Sequence, residues 1–133
     1  MYLKEEGPEE EKNYQLDNWE QVMLDPEILR KKKDFDRLYN RGKSVGSKYV
    51  VLFFIKNDFS YTRRAFLASK KVGNSVKRNR ARRLMKESYR IYKDDIKEGY
   101  DILFIARNTI NGVKCRDVEK SVREIFKRAK LFI

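Results

Sequence analysis

The residues of this chain best suited to chemistry are cations. From Lys70 to Arg90 the sequence reads KKVGNSVKRNRARRLMKESYR, nine Lys and Arg against one carboxylate, Glu87. Arginine presents a planar fork of donors that pairs bidentately with phosphate oxygens and stacks on bases. Asn79 adds a short donor and acceptor able to read a base edge or a 2′-hydroxyl. At 100° per residue, Asn79, Arg82, Arg83, Lys86 and Arg90 fall on one arc of a helix, with Arg78 and Arg80 at its borders. Ala81, Leu84, Met85, Ser88, Ile91 and Tyr92 fall on another arc, which should pack inward. Solvated helix faces usually mix signs, because i, i+4 pairs of opposite charge support the helix. Crowded like charge works against folding, so the arc points to a polyanionic partner. Lys70 and Lys71, just before the helix, extend it.

The missing residue types narrow the chemistry. There is no histidine and only one cysteine, Cys115. The usual general base, the usual activator of a nucleophile and any thiol cluster for zinc are therefore absent. Catalysis by the protein itself would rest on Lys, Tyr or carboxylates such as Asp94, Asp95 and Asp101. No glycine-rich phosphate loop and no metal-ligand spacing is present. The net charge of +12 is unevenly spread: residues 1–27 carry nine acids against two lysines, a net of −7, which leaves +19 on the remainder. Such a polycation suits nucleic acid or an anionic membrane surface. The longest apolar run, Tyr49–Ile55, is too short to span a bilayer, and the first residues lack the basic-then-apolar order of a signal peptide. The expectation is a soluble, cytoplasmic, reduced protein.

These cations need elements to position them. Residues 1–27 read as an acidic, mostly disordered extension, and residues 28–133 as one domain. Helical signals begin near Leu29; Phe35, Leu38 and Tyr39 share a face, and Gly42 stops the helix. Tyr49–Ile55 is a strand, Asn57–Thr62 a turn, and Arg63–Ser69 the second strand of a hairpin. Gly73-Asn74-Ser75 supplies a stop and an N-cap for the helix to Tyr92. Gly99 breaks the chain before the strand Asp101–Ala106, and Val118, Val122, Ile125, Phe126 and Ala129 mark a closing amphipathic helix. The expected fold is an α/β (α+β) sandwich, a small and mostly antiparallel sheet of about four strands packed with three helices.

The run from Lys70-Lys71 through Gly73 to Arg78-Asn79-Arg80 and Arg82-Arg83 resembles the "RNR" signature of the bacterial ribonuclease P protein. Asp34-Phe35, Leu38-Tyr39, Gly42 and Tyr49–Phe53 resemble the family's first helix and long strand, and Tyr100–Arg107 with the last helix its C-terminal half. The resemblance spans about residues 29–130 and implies a left-handed βαβ crossover, which the general preference for right-handed connections would not suggest. It implies that Lys70, Lys71, Arg78, Asn79, Arg80, Arg82, Arg83, Lys86 and Arg90 contact a catalytic RNA. It also implies that a cleft between the first helix and the sheet holds the single-stranded 5′ leader of precursor tRNA. Phe35, Tyr39 and Phe53 match that cleft's aromatic positions, and Tyr49 and Val51 alternate onto the strand face of Phe53 and would line it too. Spacing alone favours a core for the three aromatics. The implied chemistry is phosphodiester hydrolysis by the RNA, with Mg²⁺ held mainly by the RNA subunit and substrate. No protein catalytic residue, DNA partner or membrane partner is implied.

Two rivals stand beside this reading. One is a non-catalytic RNA-binding or ribosomal-type protein of the same fold. The other is a protein-only nuclease built on Asp94, Asp95 and Asp101. For the acidic extension there are also two readings: a tail that folds over the basic body and competes with RNA, or a natural start at Met23 with Leu24–Lys33 as a basic lead-in.

Overall fold

The computed structural model describes residues 25–133. The disordered-tail reading, the competing tail and the start at Met23 concern residues that, through Leu24, lie outside that range. The elements are α1 (Lys32–Arg41), β1 (Lys43–Gly46), β2 (Val50–Lys56), β3 (Arg63–Leu67), α2 (Ser75–Tyr92), β4 (Tyr100–Ala106) and α3 (Cys115–Arg128). Short 3₁₀ turns follow α2 (Lys93–Asp95) and β4 (Asn108–Ile110).

The four strands form one sheet in the order β1-β2-β4-β3. β2 is antiparallel to both β1 and β4, whereas β3 is parallel to β4. The expected β2–β3 hairpin is therefore absent. Asn57–Thr62 reverses the chain, but β4 inserts between the two strands, and α2 is the crossover that a parallel β3–β4 pair requires. β1 is a strand that sequence pattern does not announce: its four residues, KSVG, carry too little apolar alternation.

Alternation along β2 makes the architecture three-layered. Val50, Leu52 and Phe54 face α2 and α3 in the larger core, with Met85, Phe104 and Phe126. Val51, Phe53 and Ile55 face α1, above a smaller core of Leu29, Phe35, Leu38, Ala65 and Leu103. α1 ends at Gly42, whose N–H donates to the Leu38 carbonyl at 2.9 Å. A Cβ on Gly42 would stand 2.5 Å from that oxygen, so no larger residue fits without a shift.

The helix begins at Lys32, not near Leu29. Leu29 is extended: its N–H donates to the Arg64 carbonyl, and the Arg64 N–H donates to the Glu27 carbonyl, each at 2.9 Å. The open edge of β3 claims this backbone before the helix starts, and in return its own edge is covered.

Candidate RNA-binding surfaces

α2 is capped as its sequence suggests: Asn74 Oδ1 accepts from the Lys77 N–H at 3.0 Å. Its buried stripe is Ala81, Leu84, Met85, Ser88 and Tyr89. Ile91, expected inside, is 51% exposed. Near the helix end the packing partners change: Tyr89 lies against Phe66 and Phe104, and Tyr92 against Phe126 and Phe132. The buried line thus runs 85, 89, 92 and turns Ile91 outward. Burial pushes the Tyr89 hydroxyl up to about 12.

The outward arc is largely the predicted one. Asn79, Arg83, Lys86 and Arg90 are exposed, with Arg78, Arg80 and Arg82 half-buried. Four of the set already have partners. Arg82 donates to Asn79 Oδ1, Arg90 pairs with Glu87, and Arg80 Nη2 donates to the Val113 carbonyl at 2.6 Å. Glu87, the one carboxylate of this stretch, thus neutralises one end of the arc. Arg83 and Lys86, with Lys70 and Lys71 on the turn before the helix, form no ion pair among the described residues. Arg78 keeps a buried Nε with no hydrogen-bond partner.

The second surface lies across the sheet, between α1 and β2. Tyr39 and Phe53 meet edge to face, with centroids 5.2 Å apart at 75°. Both rings are half-buried, as is Val51 on the same strand face. Burial also raises the Tyr39 hydroxyl above its ordinary range. Two predicted members need correction. Phe35 is only 4% exposed and packs into the smaller core, so it supports the cleft floor without opening onto it. Tyr49 precedes β2 and does not continue its alternation; it packs against the larger core on the α3 side. Its carbonyl is held by the Arg107 N–H at 2.9 Å, and the neighbouring Lys48 carbonyl by the Thr109 hydroxyl at 2.5 Å. These bonds tie the turn before β2 to the loop after β4.

A charged lock stands at one end of the cleft, beyond anything the sequence pattern foretold. Asp101 is fully buried and accepts from Arg63 Nε at 2.8 Å, Arg63 Nη2 at 2.6 Å and Asn57 Nδ2 at 2.9 Å. Arg37 of α1 stands 3.6 Å away, and Arg63 Nη1 reaches Asp34 of α1 at 3.3 Å. The bond to Asp101, with the charges of Asp101 and Asp34, raises the Arg63 pKa despite its partial burial. An acid inside the otherwise apolar YDILFIA strand was the available signal. Asp101 is thus committed to an ion pair, while Asp94 and Asp95 lie exposed on the turn after α2. Among the described residues no group of three or more His, Cys, Asp or Glu is arranged to hold a metal ion.

Comparison with known proteins bears on the family and the fold. The family model described as Ribonuclease P matches residues 23–130. The ribonuclease P protein component of Pelotomaculum thermopropionicum is 41% identical over 105 residues, covering 79% of this chain and 94% of that protein. That of Clostridioides difficile is 44% identical over 106 residues, covering 79% and 93%. The solved structure of the Staphylococcus aureus RNase P protein superposes with a TM-score of 0.73 at 30% identity, covering 80% of this chain and 98% of that one.

Proposed function

The chain belongs to the ribonuclease P protein family, and from that premise we propose how its two faces divide the work of binding RNA. As the protein subunit of a tRNA-processing ribonucleoprotein, it acts in the maturation of tRNA 5′ ends. In this reading the outward arc of α2, with Lys70 and Lys71, docks the catalytic RNA. The Tyr39–Phe53 cleft takes the unpaired 5′ leader of the precursor. Base stacking on aromatic rings contributes about 1–3 kcal/mol per base and tolerates any sequence, as a subunit serving every precursor tRNA requires.

The bond-breaking chemistry is assigned to the RNA. The donor set of the described residues supplies no metal cluster, and Asp101 is held by Arg63 and Asn57. Mg²⁺ is accordingly ascribed to the RNA and substrate, and this chain's own residues act by screening phosphate repulsion and holding the leader. The reading places the protein in the cytoplasm; no helix of the described residues is long and apolar enough to cross a membrane.

One observation carries the proposal: the cation-rich arc of α2 and the aromatic cleft lie on opposite sides of one sheet, so two RNA segments can be held at once. Reconstitution tests it. Protein added to ribonuclease P RNA should stimulate cleavage of precursor tRNA at low Mg²⁺, and the effect should fade as Mg²⁺ rises. No stimulation over RNA alone would overturn the reading in favour of a non-catalytic RNA-binding protein. Cleavage by the protein without RNA would transfer the chemistry to the protein.

A further inference from the structure

The position of Tyr49 on the α3 side opens a third surface. Tyr49, Gly112, Val113, Lys114, Arg116, Asp117 and Lys120 line an open depression of about 560 Å³ on that side of the sheet. The Lys48 ammonium stands 5.6 Å from the centroid of the Tyr49 ring, adding a fourth cation to Lys114, Arg116 and Lys120. None of the four forms an ion pair among the described residues, even with Asp117, the single acid of the lining. The walls are fixed by the bonds at Lys48 and Tyr49, and by Arg80 of α2, which holds the Val113 carbonyl at 2.6 Å. The depression therefore joins the border of the α2 arc and lies across the sheet from the leader cleft.

Four cations around one hollow, without an ion-pair partner among the described residues, repel each other. The cations suit phosphates, and the aromatic ring held among them supplies what they lack, a face for a base. We propose that this depression binds an unpaired nucleotide of the RNA subunit, with its phosphates against Lys114, Arg116 and Lys120 and its base on Tyr49. The site rests on the assignment of α2 to that RNA and extends the same interface around the end of α3. It takes no part in holding the leader.

The test measures affinity of the intact protein for ribonuclease P RNA across a salt series. The triple variant Lys114→Gln, Arg116→Gln and Lys120→Gln should lower the slope of log affinity against log salt by about two, at roughly 0.7 for each phosphate no longer neutralised. Tyr49→Ala should weaken binding about tenfold, within the range of a single base stack, whereas Tyr49→Phe should retain it. Arg82→Ala with Arg83→Ala is run alongside. If that pair loses affinity and the depression variants do not, this proposal fails alone. If neither set loses affinity, the α2 assignment fails with it. Weakened binding of precursor tRNA with unchanged binding of the RNA subunit would also overturn the proposal, by giving the surface to the other RNA.

Discussion

Asp101 shows how one buried charge can govern a binding cleft. Removed from water, its carboxylate is tolerated because Arg63 grips both oxygens while Asn57 fills a third acceptor position. Arg63 then carries the constraint on to Asp34 of α1, so the helix forming one wall of the cleft is pinned to the sheet. Asp101→Ala would leave a largely buried guanidinium with only Asp34, and should destabilise the fold by about 3–5 kcal/mol in urea denaturation. Replacing Arg63 by Met and Asp101 by Leu together should recover part of that loss; a double variant as unstable as the sum of the singles would refute the pairing. Tyr89 gives a pH signature. Its hydroxyl is pushed up to about 12 by burial, against an ordinary 10. Below pH 10 it is protonated in both folded and unfolded chains and adds no slope. From pH 10 to 12 only the unfolded chain releases the proton, so stability should fall there by up to about 2.7 kcal/mol. Tyr89→Phe should remove that part of the alkaline loss, and identical pH profiles for the two proteins would contradict it.

At the scale of elements, α2 is where folding and binding pull apart. Alanine at positions 82 and 83 relieves like-charge crowding and has a better helix propensity, so Arg82→Ala with Arg83→Ala should leave α2 at least as stable. Any drop in RNA affinity then reflects the interface and not unfolding. The slope of log affinity against log salt should drop by about 1.4 if each arginine meets one phosphate. Asn74→Ala should do the converse: it removes the cap on Lys77 N–H and costs about 1 kcal/mol of stability, read by thermal unfolding, with the salt slope unchanged. This element is also the most legible in the sequence, because its period, its cap and its missing acids are all local. β2 and β4 declare themselves equally well through continuous apolar runs. What local pattern does not contain is partner choice. The turn Asn57–Thr62 signals a reversal, yet nothing within it says that β4, which begins only at Tyr100, will enter between β2 and β3. Tyr49 escapes its expected place in the cleft for a related reason: parity along a strand holds only inside it, and Tyr49 lies one residue before β2. Phe35 and Tyr39 share a helix face, and only the depth of the α1–sheet packing makes one floor and the other wall.

The whole molecule is a separation of charge along the chain. Residues 1–22 hold seven acids against two lysines, a net of −5, so their removal would raise the net charge from +12 to +17. Among the described residues, Glu27 and Leu29 are bonded to the open edge of β3. An acidic segment tethered at that edge remains at high effective concentration near the body however weak its interactions. We propose that it competes with phosphates for the same cations, a contest that is purely electrostatic. Deleting residues 1–22 should tighten binding of ribonuclease P RNA at low salt and steepen its salt dependence. The two proteins should converge near 1 M salt, where screening acts within about 3 Å. The convergence separates competition from a change in the fold, which would displace the two curves at every ionic strength. Superimposable salt series for the full and shortened chains would show that the acidic segment has no hold on the basic body.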